Sequence, residues 1–401
     1  MRKLIVYLVI ALLGSFPAGV TAEPHPEQRL LAALESIRSA ELAAAEKQLE
    51  GLVAEIPDFK LAQLLYADVL KSRALPVARP GLGIDDKQQL GHLLTEARVR
   101  LKDQLREPVI SERIPASLSH LDSGYTHALV IDLEASRLYV VENGDLRPRI
   151  VDDFYISMGR GGPDKTREGD LKTPLGVYFV ESYIPPSKLT DEYGSGAYPI
   201  NYPNALDVKQ GRTGYGIWLH GTHSGTYSRP PLTSEGCVVL PNEDLLSVGS
   251  YITLGQTPVI IGEGITWLTI DQWRQQKAVI RSVFDGWKSD WESLDVDSYL
   301  SHYSSDFTAG KTGFAGWAAH KRRVSQHKQY IDIATEYLSL LKHPNEDVFV
   351  ATFRQGYDSN NYRSESWKRQ YWKKEPDGQW RIVSESRIDP PVTLVAEAQD
   401  L

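Results

Sequence analysis

The chain holds one cysteine, Cys237, seventeen residues after His220. A thiol becomes a nucleophile when an adjacent imidazolium lowers its pKa and populates the thiolate near neutral pH. The residues around both positions suit that use. His220 closes the apolar run Ile217-Trp218-Leu219, where a strand would hold its imidazole at a sheet edge. Cys237 follows Gly236 and opens a second apolar run, Val238-Val239-Leu240. Gly236 has no side chain, so the backbone there can turn sharply and aim amide N–H groups at an oxyanion. Ser234 is short and polar, suited to orienting His220 or to closing the turn. The bland reading of a lone cysteine is a small buried hydrophobe. Another use of the same atoms is zinc, with His223 joining His220 and Cys237 and a fourth position open. No further His, Asp or Cys cluster accompanies them, so neither metal nor cofactor is expected.

These side chains need rigid elements to hold them. From Thr126 the apolar periodicity is that of strands: residues 127–133 and 137–142 around a turn at Ala135, then 148–157 after the hairpin signal Asn143-Gly144. Residues 177–183, 216–220, 251–254 and 258–261 continue the pattern, with one short helix capped by Asn242. Two long irregular segments interrupt this mainly β unit, residues 159–173 and 185–215, and loops of that length are usually functional or mobile. Met158-Gly159-Arg160-Gly161-Gly162-Pro163 follows a strand but has the wrong glycine spacing for a dinucleotide loop. Lys165, Arg167 and Lys172 in that segment are candidates to neutralise substrate carboxylates, or simply a solvated charged loop. Tyr193, Tyr198, Tyr202 and Tyr215 in the second segment could form a lid or pack the loop down.

Residues 27–73 read as two helices broken at Pro57-Asp58, an αα-hairpin of the tetratricopeptide type. Such a pair cannot bury its apolar face alone, so it either caps the next domain or offers a surface to a partner or a second copy. Residues 90–105 form another helix after a linker at 75–83. From Ile270 to Asp389, a helix carrying Trp273, Trp287 and Trp291 precedes a second at 314–328 and three strands with alternating aromatic and charged residues. Helices followed by a curved antiparallel sheet give an α+β cone. Most of its aromatic residues, Trp287, Trp291, Trp317, Trp367, Tyr371 and Trp372, should be core, with a ligand pocket or a dimerisation sheet as further uses.

The His220-Gly221-Thr222 segment ahead of Ser234-Glu235-Gly236-Cys237 resembles the signature of the L,D-transpeptidase (YkuD-type) catalytic domain. Thr173-Pro174-Leu175-Gly176-Val177-Tyr178 is similar to that family's strand entry, and the last domain resembles the nuclear-transport-factor-2-like (NTF2-like) fold. The resemblance implies a cysteine enzyme acting on peptidoglycan stem peptides, with Cys237 as nucleophile, His220 as base, and Ser234 with the Gly236–Cys237 backbone as supporting and oxyanion elements. Gly221, Thr222, His223, Lys165, Arg167, Tyr227 and Arg229 are the substrate-binding candidates. It implies attack on the L-centre carbonyl of diaminopimelate, release of the terminal D-residue, and a thioester resolved by an amine or by water. The first outcome, transpeptidation, is favoured over the second, L,D-carboxypeptidation. The whole layout also resembles the carboxypeptidases that set helical cell shape. Many family members have His where Glu235 stands and Arg where Val239 stands, so this chain lacks one substrate-positioning cation. A reading of another class is a wall-binding scaffold with a vestigial site.

The first 22 residues combine Arg2 and Lys3, an apolar run over 4–13, and the ending Val20-Thr21-Ala22. That pattern is a secretory signal, too short to span a bilayer, and implies a periplasmic protein with no membrane span after cleavage. Among 401 residues, 52 acidic and 44 basic side chains give a net charge of −8, which argues against nucleic acid as a partner. With 41% hydrophobic residues the chain can bury real cores. The expected organisation is multidomain α+β: signal 1–22, helical region 23–110, mainly β catalytic domain 124–262, NTF2-like cone 270–389.

Overall fold

The structure, a computed structural model, describes residues 24–73, 81, 86–110 and 112–390. The signal segment and, Gly81 apart, the 75–83 linker lie outside the described residues. Four helices come first: α1 (Pro26–Arg38), α2 (Leu42–Glu55), α3 (Lys60–Ser72) and α4 (Lys87–Ile110). The expected pair over 27–73 is therefore three helices. The extra turn falls at Ala40, whose φ is +59°. Left-handed backbone is unfavourable for alanine; here it closes the end of α1, with Ala40 N–H donating to the Ile37 carbonyl and Glu41 N–H to that of Ser36, and no glycine or proline marks it in the sequence.

The helices bury Leu30, Leu49, Leu52, Phe59 and Leu61 against one another, and Tyr227 of the central unit enters the same cluster. A buried ion network completes the docking. Arg100 pairs with Glu27 and, at 2.8 Å, with Glu96; Arg137 pairs with Glu27 at 2.9 Å and Asp103 at 2.7 Å. Buried pairs of this kind fix how two units seat on each other more than they add net stability.

The central unit is built on a five-stranded sheet, ordered β5-β4-β3-β12-β7. Short strands β1 (Ile114–Pro115) and β2 (Leu118–Leu121) precede it in the chain. Its members are β3 (His127–Asp132), β4 (Arg137–Asn143), β5 (Pro148–Tyr155), β7 (Gly176–Phe179) and β12 (Pro258–Gly262), with β6 (Met158–Gly159) just outside. Leu129, Ile131, Leu138 and Val140 face one core, while Ala128, Val130, Tyr139 and Val141 face another. Burial on both faces explains why β3 reads as an unbroken apolar run.

A smaller sheet, β11-β9-β8, carries the site: β8 (Ala197–Pro199), β9 (Trp218–His220) and β11 (Val238–Val239). Around it lie α5 (Ala205–Lys209), β10 (Leu232–Ser234), which pairs with β6, and α6 (Asn242–Gly249). Residues 251–254, expected as a strand, instead form turns after α6. Tyr251 and Ile252 N–H groups return to Val248 and Gly249, and Thr257 N–H donates to the Thr253 carbonyl. Their apolar side chains still pack on the core, which is what the sequence pattern had registered.

After β13 (Trp267–Leu268) the C-terminal unit begins with α7 (Ile270–Glu292), closed at its start by a Thr269/Gln272 capping box. Then come α8 (Val296–Ser301), β14 (Tyr303–Ala309), β15 (Thr312–Gly313), α9 (Phe314–Ser325), β16 (Ile331–Lys342), β17 (Val348–Ser359), β18 (Tyr362–Lys374) and β19 (Trp380–Ile388). The sheet order is β15-β14-β19-β18-β17-β16-β2, so its edge strand comes from residues that precede the central unit. On β17, Phe349, Ala351 and Phe353 point into the cone, while Val348 and Val350 pack against the central sheet with Tyr371 and Val383. Trp287 and Trp372 are core; Trp291 and Trp317 line a cavity of about 1080 Å³ together with Lys321, Gln355 and Glu385. No helix among the described residues is long and apolar enough to cross a membrane.

Candidate active site

Two short parallel strands bring the residues together. On β9 and β11, Val238 lies opposite Leu219 and Val239 opposite His220. Carried back one residue, this register sets Cys237 beside Trp218, whose backbone acts to lower the thiol pKa. Trp218 and His220 are two apart on one strand and share a face, so Cys237 and His220 become diagonal neighbours on that face. The Cys237 thiol donates to the Gly216 carbonyl at 3.4 Å.

The turn that presents the sulfur is closed by the serine and a threonine. Ser234 Oγ accepts from the Gly236 N–H at 3.1 Å and donates to the Cys237 carbonyl at 2.6 Å. Ser234 therefore closes the turn and does not orient His220, and the Gly236 amide is committed to it rather than to an oxyanion. Thr173 Oγ1 accepts from Gly159 N–H at 2.9 Å and donates to the Gly236 carbonyl at 3.0 Å. Gly236 has φ +129°, and a Cβ there would stand 2.7 Å from the Lys172 carbonyl oxygen. Glycine is required on both counts.

His220 is buried, and its Nδ1 meets the Gly221 carbonyl at 2.7 Å. That contact places the proton on Nδ1 and leaves Nε2 as the basic nitrogen. The Tyr193 ring covers it, 5.0 Å from the imidazole and 5.1 Å from Trp218. Burial pushes the His220 pKa down to about 4 and the Cys237 thiol up to about 11. The resting pair is thus neutral thiol and neutral imidazole. Desolvation of the buried imidazole and the half-buried sulfur disfavours the charged form of each.

Asn242 holds the His220 segment in place. Its Oδ1 accepts from Ser195 N–H at 2.8 Å and Thr222 N–H at 3.1 Å, and its Nδ2 donates to the Thr222 carbonyl at 2.9 Å. The sequence reading had it capping α6; it is the first residue of that helix, and its side chain reaches the neighbouring loops instead. A Cβ on Gly221 would stand 2.1 Å from Asn242 Oδ1, so that position admits glycine alone. Asn242→Ala is expected to lower stability by about 2–3 kcal/mol through unsatisfied buried amides. Turnover should fall about tenfold as His220 loses its alignment. Thermal unfolding and single-turnover rates check the two effects separately.

Of the substrate-binding candidates, several have other work. Lys165 is buried in an ion pair with Asp170 at 2.8 Å and also donates to the Arg167 carbonyl. Tyr227 packs on Phe59 within the helical cluster, with ring centroids 4.5 Å apart. Thr222 is buried and its hydroxyl donates to the Thr226 carbonyl at 2.6 Å. His223 is exposed and paired with Asp191 at 2.9 Å, away from a shared metal position with His220. Among the described residues no group of three or more His, Cys, Asp or Glu side chains converges as a metal would require. Arg167 is exposed. Arg229 stands near both His220 and Cys237, its charge acting on each.

The 159–173 segment folds back on itself, with Gly161 N–H donating to the Leu171 carbonyl and Thr173 N–H to that of Gly162. Its glycines serve close backbone packing: a Cβ on Gly159 would stand 2.4 Å from the Leu171 oxygen. The tyrosines of 185–215 divide. Tyr202 is buried, Tyr198 packs on Tyr183, Tyr193 covers His220, and Tyr215 is exposed. Sequence reasoning missed Asn242 as a brace and the Gly216 carbonyl as the acceptor for the thiol; nothing local marks either.

The class of this arrangement follows from comparison with known families. Residues 126–261 match the family model of the L,D-transpeptidase catalytic domain, YkuD, and residues 279–386 match that of the Cds6 C-terminal NTF2-like domain. The particular relatives share the layout. The crystal structure of the helical cell shape determining protein Pgp2 from Campylobacter jejuni is 26% identical, with a TM-score of 0.55 over 71% of this chain and 98% of that one. The structure of Bdellovibrio bacteriovorus Bd1075 has the same fold, at 24% identity and a TM-score of 0.62, over 69% of this chain and 100% of that one. Among curated proteins no match was found.

Proposed function

We propose that the protein is a periplasmic cysteine acyltransferase that acts on peptidoglycan tetrapeptide stems, an L,D-transpeptidase using Cys237. What supports this is the register of β9 and β11, which sets Cys237, at the head of β11, next to the His220 strand, with His220 Nδ1 held and Nε2 left basic. Because both groups rest neutral, the thiol proton moves to His220 Nε2 as the sulfur–carbon bond forms at the L-centre carbonyl of diaminopimelate. The Cys237 amide is the donor left for the oxyanion, since Gly236 donates to Ser234. Collapse of the tetrahedral adduct breaks the carbon–nitrogen bond, and His220 returns its proton to the departing D-residue amine. The thioester is then attacked by an amine of a second stem; His220 takes the amine proton and returns it to Cys237 Sγ as the sulfur–carbon bond breaks.

Hydrolysis of the same thioester is the second reading, favoured by the likeness over 98% of Pgp2, a helical cell shape determining protein. Mass spectrometry of tetrapeptide muropeptides after incubation decides between them. Dimers joined between two diaminopimelate residues are expected for the transpeptidase; tripeptides alone mean hydrolysis. Unchanged tetrapeptide, with no adduct on Cys237, overturns both and leaves a binding scaffold.

A further inference from the structure

Residues 222–231 join His220 to the Cys237 turn and carry Arg229. The backbone of this segment is held at several points. Ser228 Oγ donates to Glu96 of α4 at 2.7 Å, Tyr155 OH to the Arg229 carbonyl at 2.8 Å, and Ser157 Oγ to the Pro230 carbonyl at 2.6 Å. The Arg229 side chain is only lightly engaged by comparison. Its Nη2 donates to the Glu192 carbonyl at 3.3 Å and stands 3.9 Å from the Glu192 carboxylate, itself largely exposed. Glu192 adjoins Tyr193, the ring over His220, so the guanidinium stands at the rim of the Cys237 site.

On its other side Arg229 lines a cleft of about 440 Å³ between the helical region and the central unit, with Lys60, His92, Thr226, Ser228 and Thr233 among the walls. Its walls also include Asp86, and Thr233 at its end directly precedes Ser234 in the chain. Of the other cations near the turn, Lys165 is engaged with Asp170 and Arg160 with Glu235 at 3.0 Å. Val239 is buried and offers none. A planar guanidinium with spare N–H donors matches a carboxylate two-to-two, and a neutral amide cannot replace that pairing.

We propose that Arg229 is the specificity-determining residue for the donor, pairing with the terminal carboxylate of the leaving D-residue at the rim of the Cys237 site, beside Glu192 and Tyr193. The proposal rests on the acyl-transfer reading. It makes the enzyme select stems that end in a free acid at the fourth residue.

The test compares a tetrapeptide muropeptide with the same peptide bearing a C-terminal carboxamide, using full-length wild type, Arg229→Gln and Arg229→Lys. The readouts are the thioester adduct by intact mass and the steady-state parameters. Wild type is expected to prefer the acid by about 10–100-fold in kcat/KM. Arg229→Gln should lose that preference through a raised KM for the acid, with the amide rate unchanged within about threefold. Arg229→Lys should keep part of it. If Arg229→Gln slows acid and amide equally, or if wild type accepts both alike while forming the adduct, the assignment falls and the acyl-transfer reading stands. A wild type that forms no adduct with either peptide overturns the reading beneath it.

Discussion

Cys237→Ser is expected to reduce turnover of tetrapeptide stems by roughly 10³-fold or more, because the hydroxyl is a far weaker nucleophile and no strong base stands beside it. His220→Ala should lose roughly 10²–10⁴-fold by removing the proton acceptor. The two losses should not add, since each residue is useful only with the other. Cys237 lies in a turn whose backbone contacts come from Ser234 and Thr173, so Cys237→Ser should unfold close to the wild-type temperature, whereas His220→Ala leaves a gap under the Tyr193 ring and should unfold at a lower one. Intact-mass detection of the thioester checks the assignment. An adduct persisting in Cys237→Ser at the wild-type rate would sink it.

The second large effect is in pH dependence. A thiol held at about 11 has about one part in 10⁴ as thiolate at pH 7. Alkylation of the resting protein by iodoacetamide should therefore be slow at neutral pH and climb about tenfold per unit to pH 10 without a plateau. The denatured chain should level off near an ordinary cysteine pKa, about 8.5. Turnover should behave differently on the acid side. His220 titrates at about 4 when buried, so the base is available above that pH and is lost as pH falls through it. A labelling plateau below pH 7 would mean that a resting ion pair exists and that the pair reacts from its charged form.

How far the sequence carried this reading depends on whether each signal is local. The His220 and Cys237 runs were legible because a strand end and a glycine turn are marked by adjacent residues. The strands at 127–133 and 137–142 and the tryptophan-bearing helix after Ile270 were legible from the periodicity of neighbouring apolar residues. The substrate-binding candidates were chosen by charge and proximity along the chain, and that is where burial intervened. Lys165 looks free in sequence but has Asp170 folded against it, and Tyr227 sits three residues from Ser224, yet its ring belongs to the helices. Asn242 occupies the position of a helix start, and only the fold shows that its amide braces loops twenty and more residues away. The turn at Ala40 left no mark because alanine has no preference for the conformation it takes there.

The strand at Leu118–Leu121 ties the chain's order of synthesis to its architecture. It is made before the central unit, yet its hydrogen-bonding partner on β16 appears some two hundred residues later. A fragment starting at Ile270 would expose the long β16 edge to pairing with other molecules, which invites aggregation. The cone therefore borrows a boundary from upstream, and separating it from the rest of the polypeptide would leave both pieces with an open seam.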